Sequence, residues 1–463
     1  MNMSLKLSTA GLIAAALLSA CGGGSGGGST SPAANTVSQG TITGFGSVIV
    51  DGVRYSSVGA NVIDEDGNSL SRDTLRIGMT VNVEGTSSDD LVSGEAKTIE
   101  VRRLLQGPVS GLQTASGVST FTVLGQAVET IAKTLIVGNL ANAANVKVYG
   151  LLQQGTPDKI IASRIEAAPQ TRFEAYGRVS NLAGNTFNIG TLAVTSAVAL
   201  PTGLANGSLV KASCSTLPGC SNGSTTMTAD KIKLRGARND LNGQNGAVVK
   251  LKGVVDAVNG NILAVAGVSV DISNAQREDD NANTSASYTP AVGHRLEIKG
   301  SYNGTTLIAR QIEQEGYRES KHDGAAVSYT TELYGIVESA TNTSCNGDYL
   351  VQSICVDNGN LAIPNPGQYV EIKGNMSGDV LVAVKVETKS GTTPTGGYIE
   401  VKGNISNFNS STKTFNLDTL AVNYANATVK GVVANGNFVE VKGTQNSDGT
   451  FQATKVEAER NND

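Results

Sequence analysis

The sequence predicts an all-β chain, a tandem array of about six small five-stranded OB-like antiparallel β-barrels. Three observations carry this. Short runs alternate apolar and polar residues with period 2: in Val370–Gly374, Val370 and Ile372 share one face, and Glu371 and Lys373 the other. One pattern of strings returns along the chain at intervals of 67–82 residues. The composition is 55 Gly, no Trp, 8 Phe, 12 Tyr and 16% charged residues in 463, which suits many tight turns around small aliphatic cores.

Each unit opens with a Gly-containing strand, near Gly40, Gly107, Gly177, Gly253, Gly335 and Gly403. A β-β pair follows, clearest in Thr186–Ser196 and Thr414–Tyr424. The fourth strand reads apolar-x-apolar-x-Gly after a turn glycine: Gly78–Gly85, Gly293–Gly300, Gly367–Gly374 and Gly436–Gly443. The fifth reads Ala-x-x-Ile/Val-Glu or a close variant, from Ala96, Ala162, Ala229, Ala309, Ala383 and Ala453. The units run over 39–102, 103–168, 172–236, 248–315, 332–389 and 398–459, here repeats 1 to 6. Closing such a short sheet into a barrel hides its edges. The insert between third and fourth strands varies, long at Val58–Ile77 and short at Leu361–Pro366.

The first residues read as a secretory signal over 1–20, with Lys6 ahead of an apolar stretch, Leu7 to Leu18, too short to span a bilayer. Leu18-Ser19-Ala20-Cys21 resembles the bacterial lipobox, which implies that Cys21 is the acylated mature N-terminus. Residues 21–38 then read as the lipidated Cys and a flexible Gly/Ser tether. The other cysteines are Cys214, Cys220, Cys345 and Cys355. Export permits disulfides; three pairings are possible, and the local one, 214–220 with 345–355, is expected. Their spacings do not suit zinc.

These strings resemble the uncharacterised family known as domain of unknown function 5666, tandem β-domains often borne on bacterial lipoproteins. The resemblance covers nearly all of the chain after the tether and is strongest in repeats 4 to 6. It implies no activity, since none is established for that family.

The acidic turn Asp64, Asp66, Asn68 offers a weak calcium site without the ligand set of an EF-hand; no other metal and no cofactor is expected. Glu278–Asn281 reads the same way. His294 and His322, the only histidines, are expected to be solvated. The recurring pairs Glu297/Lys299, Glu371/Lys373 and Glu440/Lys442 are expected to be outward, solubilising charges. Net charge is −5, which opposes a nucleic-acid partner, and the absence of Trp removes a common sugar-stacking platform.

The expected function is that of a membrane-anchored envelope lipoprotein, lipid-anchored at the outer membrane of a diderm bacterium and facing the periplasm or the surface. It acts as a non-catalytic structural, adhesive or binding array for an unknown protein or glycan partner, with no catalytic residues. The alternatives are an oligosaccharide- or Ca-dependent ligand-binding module, or an envelope enzyme. The repeats are expected as beads in series, reaching about 150 Å.

Overall fold

The structure is a computed structural model that describes residues 34–87, 93–153, 155–169, 171–215, 225–234, 245–265, 268–279, 289–314, 329–338, 347–388, 399–417, 420–446 and 450–458. Repeat 1 comprises β1 (Ala34–Phe45), β2 (Val48–Val50), β3 (Val53–Ser56), β4 (Asn61–Asp64), β5 (Thr80–Ser87) and β6 (Ser93–Arg102). Antiparallel pairing joins β1 to β2 and β5, β2 to β3, and β5 to β6. β3 then closes the circuit by lying parallel on β6. No main strand is left as an open edge, and the apolar side of each faces a core of Ile42, Val48, Val53, Val81, Val83 and Ile99.

The same circuit recurs along the described residues. Its first strands are Leu105–Ala115, Phe173–Ala183, Val248–Asn259, Thr331–Glu338 and Ile399–Asn409. Each pairs antiparallel with the following strand and with the fourth of its repeat. The third closes in parallel on the fifth every time. One seam of the antiparallel barrel runs parallel, because with five strands the up-and-down alternation cannot return in phase. The inserts of repeats 1, 4 and 6 add a sixth short strand, β4, Gln276–Asp279 and Thr428–Lys430, parallel to the last strand.

The glycine that ends the fourth-strand string has a steric cause. Register slips at Glu84/Gly85, Tyr149/Gly150, Lys299/Gly300, Lys373/Gly374 and Lys442/Gly443. A Cβ there would lie 2.0–2.3 Å from a carbonyl oxygen of the last strand, that of Glu95, Ile161, Ile308, Val382 or Gln452. The bulge brings two backbones too close for any side chain. In repeat 3 Cys214 holds the corresponding position and is the last residue of its strand, Leu209–Cys214.

The repeats are not beads in series. β1 offers its edge to two other barrels: Thr36–Gln39 pair in parallel with Val248–Leu251, and Gly44 and Phe45 with Glu332 and Leu333. Gly44 permits the second contact, because a Cβ there would lie 2.1 Å from the Glu332 carbonyl oxygen. β1 also takes in the last residues, 34–38, of the stretch 21–38 read as lipidated Cys and tether; residues 21–33 lie outside the described residues. Its strand starts at Ala34, and Thr36, Val37 and Ser38 are buried, because pairing on both sides takes that backbone out of water.

The charged side of the fourth strand also differs from expectation. Lys211, Glu371, Lys373, Glu440 and Lys442 point away from their own barrels, yet all are buried. Alternation placed them on the correct face, but that face meets a neighbouring barrel or a long side chain instead of water.

Replacing Gly443 by Val should lower the stability of repeat 6 by about 2–4 kcal/mol, the range for steric overpacking and backbone displacement. Gly403→Ala, whose Cβ would meet Leu417 at an ordinary 3.5 Å, should change it by less than about 0.5 kcal/mol. Thermal unfolding of the two variants makes the comparison.

Candidate functional site

The long insert of repeat 1 builds one wall of a charged cleft. Asp64 Oδ1 accepts the backbone N–H groups of Asp66 at 2.8 Å and Asn68 at 2.9 Å, and Asp64 Oδ2 accepts Asn68 Nδ2 at 2.9 Å. This side-chain-stapled turn fixes the backbone that carries Glu65 and Asp66. Asp66 Oδ2 lies 2.6 Å from Arg172, and Oδ1 lies 2.7 Å from Lys231 and 2.9 Å from Lys233, all from repeat 3. Glu65 pairs with Lys211, and lies 3.8 Å from Arg102.

The opposite walls come from repeats 2 and 3. Glu174, 2% exposed in its side chain, meets Arg103 at 2.6 Å, Arg172 at 2.7 Å and Lys211 at 3.1 Å. Glu166 accepts from Arg164 at 2.8 Å, Lys147 at 3.3 Å and the Tyr149 hydroxyl at 3.4 Å. Arg164 also donates to the Ile77 carbonyl at 3.1 Å, and Ser163 Oγ to that of Gly78 at 2.7 Å, pinning repeat 2 to repeat 1. These walls enclose about 370 Å³, with Leu70, Met79 and Val101 as the apolar part of the lining.

The electrostatics follow from pairing. Burial alone would raise the carboxyl of Glu174, but Lys211, Arg103 and Arg172 outweigh it and hold the group down at about 2. Burial likewise opposes ionisation of Asp66 and Glu166, and their cations also prevail, holding both below the ordinary range. The phenol of Tyr149 is pushed up by burial and by the charge of Glu166. Asp66, Glu166 and Glu174 are therefore held as carboxylates at neutral pH and are poor proton acceptors.

A second charged junction joins repeats 1 and 6. Ser57 Oγ lies 3.3 Å from Glu400 Oε2 and 3.2 Å from Glu440 Oε1. Arg72 reaches Glu440 at 2.7 Å, Glu457 at 3.4 Å and the Ser57 carbonyl at 3.0 Å. Lys442 pairs with Glu95 at 2.6 Å, and Lys455 donates to the Val58 carbonyl. Glu400 Oε1 is buried without a hydrogen-bond partner. Burial, and then the adjacent charge of Glu440, push the Glu400 carboxyl well above its ordinary range.

The residues singled out from the sequence fall as follows. Of the weak calcium candidates Asp64, Asp66 and Asn68, the first is spent on its own turn and the second on three cations. Among the described residues no group of three or more His, Cys, Asp and Glu side chains could hold a metal ion. Cys214 is buried and Cys355 lies on Ile354–Asp357. Neither is a free thiol, and Cys220 and Cys345 lie outside the described residues, as do Cys21 and His322. His294 precedes the strand Arg295–Tyr302 and closes a turn, its Nδ1 accepting from Ala291 N–H at 3.2 Å. Glu278 and Asp279 end the strand Gln276–Asp279, and Asp280 and Asn281 lie outside the described residues. Sequence reasoning missed Arg72, Arg103, Arg172 and Glu174: Glu174 was a charge on a strand position that read as solvent-facing, and the three arginines lie in the insert or in links just before a strand, where the strand pattern carries no signal.

Removing the Glu174 charge with Glu174→Gln leaves three cations around a neutral amide and should cost about 3–5 kcal/mol, the range for a broken buried ion pair. The depressed carboxyl stabilises the fold fully above about pH 4.5, and this contribution should fade as pH falls towards 2. Glu400 has the opposite sign: raised when folded, it should make wild type lose stability relative to Glu400→Gln as pH rises from about 4.5 towards neutral. Thermal unfolding of the three proteins across pH 2–7.5 reads both windows.

Residues 106–166, 252–313 and 395–457 match the family described as Domain of unknown function (DUF5666). No curated protein matches the chain. A solved structure described as drosophila Unr CSD456 is similar at 11% identity, over 57% of this chain and 85% of that one, with a TM-score of 0.13. The matched spans fall on repeats 2, 4 and 6, so the chain carries tandem repeats of the DUF5666 kind, built as small closed β-barrels.

Proposed function

We propose that the protein is a lipid-anchored envelope protein whose barrels form a preassembled, non-catalytic platform with a structural, adhesive or binding role. The observation that supports this best is the use of the barrels' charged outer faces. They are spent on contacts with repeat 1, through Lys211, Arg172, Lys252, Glu440 and Lys442 among others, so the repeats are held as one body. The clamped carboxylates of the cleft speak against general-base chemistry there. Anchoring rests on the sequence Leu18–Cys21 and its resemblance to a lipobox, with an outer-membrane destination. A second reading, a ligand-binding module, is favoured by the cleft between repeats 1, 2 and 3. The disulfides Cys214–Cys220 and Cys345–Cys355 would staple repeats 3 and 5, each adding about 2–3 kcal/mol in the chain-entropy picture.

Cys21→Ser should release the protein from membranes and abolish the mass of its acyl chains; retention at the membrane with unchanged mass would count against the anchor. In a deletion strain the released form should fail to restore the envelope, as a platform needs its place. Full restoration would favour a diffusible enzyme instead. Non-reducing peptide mapping should recover the two local cystine peptides and no crossed ones.

A further inference from the structure

We propose that the cleft between repeats 1, 2 and 3 binds a small multivalent oxyanion, a ligand carrying two or more carboxylate or phosphate groups. This rests on the reading of the chain as a binding platform and is independent of its anchoring.

The cleft has the dimensions of a small-molecule site. Its volume of about 370 Å³ falls within the range of such pockets. Three repeats supply its walls, so it exists only in the assembled chain. The walls carry both signs of charge, but not in balance. The lining carboxylates Glu65, Asp66, Glu166 and Glu174 are each tied to more than one cation, several of which stand behind the lining: Arg102, Arg164, Arg172, Lys231 and Lys233. The lining itself holds five carboxylates, with Asp64, and four cations, Arg76, Arg103, Lys147 and Lys211. With the five cations behind it and their outer partners Glu100 and Asp379, seven carboxylates stand against nine cations among the described residues. The excess is positive in a chain whose net charge is −5.

Three cations on the lining have donors left over. Arg76 is exposed, and its Nη1 is bonded to the carbonyls of Asp73 and Leu75. Among the described residues it has no carboxylate partner. Arg103 uses Nε on Glu174, which leaves its two terminal nitrogens. Lys147 meets Glu166 through one of three N–H groups. A guanidinium with free terminal nitrogens takes an oxyanion in a forked pair, and an ammonium adds a point charge. A neutral ligand would leave this positive excess unmatched. A metal cation would meet carboxylates already neutralised by their neighbours.

The test is calorimetric titration of the full-length Cys21→Ser protein at low salt with citrate and with pyrophosphate as probes, and with glycerol and Ca²⁺ as controls. At least one of the two anions should bind with one-to-one stoichiometry and weaken steeply with added salt. The arms separate carboxylate from phosphate recognition. Arg76→Gln should lower the affinity tenfold or more, the loss of one charge-assisted contact, without changing the unfolding temperature, since Arg76 bonds only to its own turn. Arg76→Lys should recover part of the loss. The proposal is overturned if neither anion binds, if Arg76→Gln binds as well as the parent, or if Ca²⁺ is the probe that binds. Any of these would remove the ligand class and leave the anchoring and assembly of the platform standing, because those are read by membrane fractionation and by stability.

Discussion

Charge removed from water has to be matched, and the arrangement of these barrels follows from that requirement. A closed five-stranded barrel satisfies its backbone and hides its apolar side chains, but half of its strand residues still point outward. Here the outward residues of several fourth strands are Lys and Glu, and contacts between repeats bury them. An unpaired ion in such a place costs several kcal/mol. Three are met by a residue of opposite sign from another repeat, Lys211 by Glu65, Glu440 by Arg72 and Lys442 by Glu95, while Glu371 and Lys373 lie 3.4 Å from each other. Mismatched neighbours would leave buried charge unpaired, so these pairs select the arrangement even where they add little net stability.

Repeat 1 supplies most of the matching partners. It shares the circuit of the others but carries the long insert, and the insert lies outside the closed ring of pairing. Nothing in the barrel geometry restricts its sequence. It bears the Asp64–Asn68 turn that meets repeat 3 and Arg72 that meets repeat 6. The edge of β1 adds backbone pairing to repeats 4 and 5. Two junctions of opposite character result. That with repeats 2 and 3 is rich in cations and encloses a cleft; that with repeat 6 crowds two carboxylates around one serine hydroxyl. The first is built to hold something small and the second to hold a neighbour.

The bulge glycine shows how much a short string can encode. A residue without a side chain, after two apolar and two polar alternations, sets a point where the fourth and fifth strands come too close for a Cβ. The slip it allows turns the strand end and helps a sheet this narrow to curl closed. The string therefore marks the turn of the barrel as well as the strand.

The sequence by itself determined the barrel. Period-2 alternation, the turn glycines and the return of the same strings settle strand positions, the inward face and the place of the insert, because these depend on contacts within some 60 residues of chain. It did not distinguish a charge that faces water from one that faces another barrel. Glu371 and Lys373 read as solubilising for that reason, and Asp66 as a metal ligand. Alternation tells which side of a strand a residue is on and carries nothing about what lies beyond that side. Arg172 finding Asp66, or Arg72 finding Glu440, depends on residues 106 and 368 positions apart. Only the packing of whole barrels brings them together, so the cleft, its excess of cations and the parallel neighbours of β1 were decided by the tertiary structure.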